Sequence, residues 1–421
     1  MARPLDEEVR PCRRSAAPVA LLGAVLIALA SACRAERAAP ADAPTPAVAR
    51  PIESPAAPGS GEPSLAATAD GRVILSWLEP RDGGRHALRF SSRRAGEPWS
   101  VPHTVAEGAS WFVNWADFPR LAALRDGTLF AHWLEKNPAG GSYQYDVQLV
   151  RSTDGGATWS SPVHPYREAI PSEHGFVSFA PATDDRMGVL FLDGRETARK
   201  QGSMTLRFAT WGRSGVPEGD APVDPRVCDC CQTAIARTTR GLVIAYRDRS
   251  ADEVRDIAVR RHEGGRWSEP AYPGAEGWRI DACPVNGPVL AAEGDRVALA
   301  WFSMAGERAV VKAALSGDSG ASWSPPVTID DADPLGRVDA VLTVGAALVS
   351  WLAPAPDGAE VRVRAVRGDG TAGPAVVVAR TSGARASGFP QMEHAGGEVV
   401  MAWRDGREPA GIHTATVEVG E

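Results

Sequence analysis

Beyond residue 32 the sequence has no stretch of convincing helical period, which excludes a mainly helical body. It has no basic excess either. Lys and Arg number 45 against 52 Asp and Glu, for a net charge of −7. Setting aside the four Arg and three acidic residues of 1–32 leaves about −8. Such an acidic, mixed surface argues against nucleic acid as a partner and against charge-driven binding to anionic lipid. The apolar run 18–30, PVALLGAVLIALA, is short for a membrane span. Tyrosine is scarce, with five residues, and cysteine nearly as scarce, with six, so chemistry built on either must fall on few positions.

What the sequence does have is a recurring pair of apolar runs. In 118–135, FPRLAALRDGTLFAHWLE, the two runs are joined by Asp126-Gly127. That dipeptide tolerates the positive φ of a tight hairpin turn. The pattern returns at 64–79, 179–194, 231–248, 286–303, 338–353 and 389–405. Its anchoring aromatics are Trp77, Trp133, Phe191, Tyr246, Trp301, Trp351 and Trp403, spaced by 56, 58, 55, 55, 50 and 52 residues. A steady period of this length in strand-type units indicates a radial β-repeat. Two further strands follow the hairpin in each unit, so 64–421 reads as an all-β, seven-bladed propeller of four-stranded antiparallel blades. A six-bladed ring is the alternative.

The N-terminus reads as a targeting segment, residues 1–32, with Arg10, Arg13 and Arg14 before the apolar run. Ala30-Ser31-Ala32-Cys33 resembles a bacterial lipobox, which implies cleavage before Cys33, lipidation of its sulfur and an exported, envelope-bound protein. Residues 33–63, with seven prolines, read as a tether without buried structure.

Two turns carry a finer signature. Ser152-Thr153-Asp154-Gly155-Gly156-Ala157-Thr158-Trp159 and Ser316-Gly317-Asp318-Ser319-Gly320-Ala321-Ser322-Trp323 share the form S-x-D-x-G-x-[TS]-W. Weaker copies lie at 92–99, where Arg94 replaces the Asp, and around 264–267. These motifs resemble the Asp boxes, or BNR repeats, of the sialidase superfamily. Their chemistry is local. The Asp (154 or 318) accepts backbone N–H bonds in the turn, the Gly (156 or 320) permits positive φ, and the Trp (159 or 323) packs the turn on its blade. They are folding devices.

With strands lettered A to D from the axis outward, the A–B and C–D turns share one face. The D–A lead-ins and B–C loops share the other, where a ligand over the central mouth is expected. This face offers Asp117, Arg120, His174, Arg195, Arg247, Arg249, Asp281, Asn286 and Arg404 as ligand-binding candidates. Arg is suited to gripping a carboxylate bidentately. The sialidase resemblance implies an arginine triad, for which Arg195, Arg247 and Arg404 are the candidates. The other reading is that each pairs with a nearby Asp and braces its own loop. The resemblance also implies a Tyr–Glu pair, an acid Asp and an N-terminal Phe/Tyr-Arg-Ile-Pro. The nearest match to the last is Phe118-Pro119-Arg120-Leu121, with Pro and Arg exchanged.

Besides Cys12 and Cys33, all cysteines lie in two adjacent lead-ins, VCDCCQT (Cys228, Cys230, Cys231) and DACPVNGP (Cys283). Disulfides are one reading for an exported chain. A soft-metal site for Cu or Zn is a second, and a reactive thiol a third. The sequence as a whole predicts an envelope-anchored, sialidase-like propeller that recognises a glycan-like or other small ligand. An exo-acting glycoside hydrolase and a metal-handling protein are the alternatives.

Overall fold

The computed structural model describes residues 48–418 apart from 139, 169, 213 and 214. The targeting segment 1–32, the lipidation candidate Cys33 and the tether to residue 47 lie outside the described residues. The remainder forms seven antiparallel sheets arranged as blades. The first blade is Gly61–Ala67, Val73–Arg81, Arg85–Arg93 and His103–Gly108. The second has Leu121–Ala123, Leu129–Lys136 and Tyr145–Ser152, its outer strand reduced to a bridge between Leu149 and Val163. The third to sixth blades begin their inner strands at His174, Ala234, Val289 and Gly336. The seventh has Gln391–Ala395, Glu398–Asp405 and Gly411–Glu418.

The outer strand of the seventh blade is Val48–Ile52, which pairs with Gly411–Glu418 from the other end of the chain. This corrects the expectation of an unordered tether through residue 63. The N-terminal strand closes the ring, and Gly61–Ala67 already belongs to the first blade. The seven-blade reading holds and the six-blade alternative falls. All seven repeat aromatics lie in B strands and are buried, with Trp77, Phe191 and Trp351 fully inaccessible. One large ring per blade fills the space between neighbouring sheets, and the sheets pack as the hydrophobic pattern requires.

The inner strands surround a central channel of about 320 Å³, lined by residues of all seven, including Ser64, Ala122, Ser178, Thr233, Asp339 and Glu393. Phe118 and Phe389, 5.9 Å apart, line its lead-in end, and Trp115 stacks on Phe389 at 5.8 Å. These rings narrow the mouth on that face. Among the described residues no helix is long and apolar enough to cross a membrane.

Candidate functional site

The two Asp-box turns are held by local bonding. Ser152 Oγ donates to Asp154 Oδ1 at 2.7 Å, Gly156 N–H to Ser152 Oγ at 2.8 Å, and Thr158 N–H and Oγ1 to the two Asp154 oxygens at 2.9 and 2.6 Å. The 316–323 turn repeats the set, with Ser316, Asp318, Gly320 and Ser322 in the same places. These bonds hold both carboxyls down at about 2, the Thr158 and Ser322 hydroxyls contributing most. Trp159 meets Phe90 of the first blade edge-on, and Trp323 packs beside Val243 and Leu299. Neither turn presents a free catalytic group.

The lead-in face is different. Asp117 is buried, and its Oδ1 accepts the Phe176 N–H at 2.8 Å while Oδ2 accepts the Tyr145 hydroxyl at 3.2 Å. Asn286 Oδ1 accepts the Arg337 N–H at 2.7 Å in the same way. Phe176 and Arg337 have φ of 50° and 54°, each directly after a glycine and at a slip of strand register. A Cβ on Gly175 would lie 2.0 Å from Asp117 Oδ2, and one on Gly336 2.4 Å from Asn286 Oδ1. Asp117 and Asn286 are therefore clamps. Each reaches from one blade to fasten a strained bulge on the next.

The three arginines do not converge. Arg195 is buried, its Nε 2.9 Å from both Asp193 oxygens and its Nη2 2.9 Å from Asp220. Arg247 donates to the backbone oxygens of Asn286, Arg255 and Phe302 and lies 4.7 Å over Trp278. Arg404 reaches Glu62 at 3.4 Å. The register counterpart of Arg195 in the seventh blade is Arg407, which holds Asp405. Arg195 braces its own blade, whereas Arg247 reaches across to the fifth blade and Arg404 to the first. Each guanidinium is engaged with the protein itself, so the triad expectation is not met, and the expectation of an Arg bracing its own loop through a nearby Asp holds for Arg195 alone. Arg120 borders the channel and faces Asp117 and Asp339. His174 is fully buried, stacked at 4.2 Å on Tyr166 and 3.1 Å from Ser172, and burial lowers its pKa. It is a core residue. Asp281 is exposed.

Two constellations remain on this face, and neither lines the channel. In the first, the Tyr145 hydroxyl also donates to Glu173 Oε1 at 3.0 Å. Burial pushes Glu173 up to about 7 and Asp117 likewise to about 7. Phe112 stacks on Tyr145 at 4.0 Å, and Tyr143 meets Phe112 edge-on at 6.0 Å. Tyr145 escaped the sequence reading because it heads a C strand, where an aromatic is ordinary. Only its hydroxyl, facing two lead-in acids, marks it.

In the second, the cysteines come together as the adjacent lead-ins predict. Cys228 Sγ is 3.2 Å from Cys231 Sγ and 3.8 Å from Cys230 Sγ, and all three sulfurs lie within 4.8 Å of one another. Cys283 is within hydrogen-bonding reach of Cys230. Arg255 Nη1 points at Cys228 Sγ from 3.4 Å. The neighbouring thiols, and then Arg247, hold the Cys228 thiol well below its usual range. Arg249 joins Asp229 at 3.1 Å to Glu253 at 2.9 Å beside the cluster.

No protein-family model and no curated protein matches the chain. Solved structures do. A Dyadobacter fermentans protein of unknown function superposes with a TM-score of 0.54 at 14% identity, over 89% of this chain and 98% of that one. The β-propeller domain of the trilobed protease from Pyrococcus furiosus gives 0.50 at 10% identity, over 86% and 98%. The NanB sialidase from Streptococcus pneumoniae gives 0.42 at 12% identity, over 88% and 70%. These likenesses speak to the fold alone. The chain is a seven-bladed β-propeller with four-stranded antiparallel blades.

Proposed function

We propose that the protein is a ligand-recognition propeller of the cell envelope, tethered through a lipid on Cys33, that reads a glycan-like ligand on its lead-in face, beside the axis. The observation carrying this reading is the continuous run Tyr143, Phe112, Tyr145 and Glu173. Tyr143 is 64% exposed, so an aromatic face stands open next to a half-buried carboxyl. Sugar rings offer C–H faces to aromatics and hydroxyls to carboxyls, and such a mixed apolar and polar surface suits them. Binding without sialidase-type turnover fits arginines that are each engaged in bracing. The exported setting is supported by the apolar run 18–30 and the Ala-Ser-Ala-Cys at 30–33. The acidic balance of the chain disfavours nucleic acid.

The test is a glycan array probed with the purified protein, together with a panel of fluorogenic glycosides. The wild type is expected to retain one glycan class. Tyr143→Ala and Glu173→Gln each weaken retention by about tenfold or more, as a central contact should. No retained glycan overturns the ligand class, and equal retention by both variants overturns the site. Steady hydrolysis that needs Tyr145 and Glu173 would replace binding with the exo-glycosidase reading, which requires two groups acting across one bond.

A further inference from the structure

The thiols on the fourth and fifth lead-ins form a separate feature that owes nothing to the glycan reading. We propose that Cys228, Cys230 and Cys231, with Cys283 as a fourth donor, form a thiolate site for one soft d10 metal ion, Cu(I) or Zn(II). Sulfurs about 2.3 Å from a common tetrahedral ion stand about 3.8 Å apart. The Cys228–Cys230 separation is 3.8 Å, the Cys228–Cys231 separation 3.2 Å, and all three sulfurs lie within 4.8 Å of one another. The competing arrangement is two disulfides, Cys228 with Cys231 and Cys230 with Cys283, which a thiol count separates from metal binding. Cys230 and Cys231, being adjacent, are poor partners for each other.

The surroundings select for sulfur. Cys228 and Cys231 are 1% and 2% exposed. The nearby hard donors are engaged: Asp229 with Arg249, and Glu253 with both Arg249 and Arg255. An all-sulfur donor set favours soft ions over calcium or magnesium. Arg255, donating to Cys228, offsets the negative charge that several thiolates would collect. Among the described residues no other trio of such donors converges as closely. Each sulfur that binds releases its proton to solvent, and no electron is transferred. Cu(I) is satisfied by the three sulfurs of 228–231. Zn(II) completes its tetrahedron with Cys283, which sits exposed at the edge of the cluster.

The full chain, reduced under anaerobic conditions, is titrated with Cu(I) against bicinchoninate and with Zn(II) against a pyridylazo indicator. One ion per chain is expected, with native thiols shielded from maleimide by the metal and reactive again after chelation. Sulfur counting by X-ray absorption distinguishes three-coordinate Cu(I) from four-coordinate Zn(II), and either supports the site. Cys230→Ser, at the half-buried position, should weaken binding by more than the roughly 10- to 100-fold that loss of an outer partner costs. Cys283→Ser should weaken Zn(II) far more than Cu(I). Near-UV circular dichroism confirms that each variant is folded. The proposal is overturned if neither ion is retained, if all four thiols of the exported protein are already paired as disulfides, or if folded Cys230→Ser binds like the wild type.

Discussion

The two faces of the wheel use the same residue types in opposite ways. On the turn face, Asp154 and Asp318 stand in solvent, bonded among the described residues to neighbours within four positions, and their pKa sits at about 2. At the hub and its lead-ins, Glu62, Asp117 and Glu393 are pushed by burial to about 7 and Asp339 to about 6. Two of them have partners far away in sequence: Asp117 holds Phe176, and Asp339 holds the Met392 N–H at 2.6 Å. The hydrogen bonds of Asp154 and Asp318 fasten a turn to itself, whereas those of Asp117 and Asp339 fasten one blade to the next. Among these carboxyls, burial at a blade junction raises the pKa and hydroxyl and N–H bonding in an Asp-box turn lowers it, while Glu253 on the lead-in face is lowered to about 2 by Arg249 and Arg255.

The strongest way to sharpen this contrast uses one motif in two settings. Asp193-Gly194-Arg195-Glu196 and Asp405-Gly406-Arg407-Glu408 match residue for residue, and in both the Arg bonds the Asp two positions before it. The Arg195 side chain is 6% exposed and that of Arg407 50%. Arg195→Ala strands the buried Asp193 and should cost about 3–5 kcal/mol, whereas Arg407→Ala, at a solvent-screened pair, should cost far less. Urea unfolding of the two variants measures both. Equal losses would break the distinction between hub and rim.

Glycines give the next contrast. A Cβ on Gly287 would lie 2.1 Å from the Gln232 carbonyl oxygen, between the fourth and fifth blades. Backbone cannot swing aside as a side chain can, so Gly287→Ala should cost about 3 kcal/mol or more. Gly127, at φ 87° in an A–B turn, has nothing within 4 Å of such a Cβ. Gly127→Ala meets only conformational strain, about 1 kcal/mol. Thermal melts of both variants decide the ranking.

The acids predict opposite responses to pH. Asp117 moves from 3.8 to about 7 on folding, so between those values the folded state holds the extra proton. Stability should then fall as pH rises through that window, by about 1.4 kcal/mol per pH unit for each such group. Asp154 moves the other way, from 3.8 to about 2, and its contribution is lost only as pH falls below 3.8. The melting temperature should therefore be higher near pH 5 than near pH 8. Glu173, Tyr145 and Arg120 face Asp117 and set the background of the titration. Asp117→Asn should flatten the slope and keep the clamp, because Asn286 does the same work at Arg337. An unchanged slope in that variant would show that Asp117 does not titrate in the window.

The legibility of the sequence follows the same divide. The blades could be read because hairpins and Ser-x-Asp turns are local: Asp126-Gly127 and Ser152–Trp159 contain all the information their geometry needs. The gathering of Cys228, Cys230, Cys231 and Cys283 followed once adjacent lead-ins were known to meet. What escaped the reading was chemistry assembled across blades. Nothing near Tyr145 announces that its hydroxyl will lie between Asp117 and Glu173. Nothing near Asp117 or Asn286 distinguishes a clamp from a ligand contact, since the strained residues they hold lie 59 and 51 positions away. The closing strand Val48–Ile52 was hidden by prolines. Pro51 is tolerated there because an outer strand has a free side on which a missing N–H costs little.

The smallest expected effect tests whether the turn face is purely local. Among the described residues Asp154 bonds within 152–158 and Asp318 within 316–322, and the two turns belong to the second and fifth blades. Asp154→Ala and Asp318→Ala should each lower the melting temperature modestly, and the double variant should show the sum, since distant sites with no shared partner add. Neither should alter ligand retention or metal binding on the opposite face. A double variant that loses more than the sum, or one that disturbs the thiols, would mean that the turns communicate through the ring. The blades would then have to be treated as one cooperative body in which a turn acid and a hub acid are not separable.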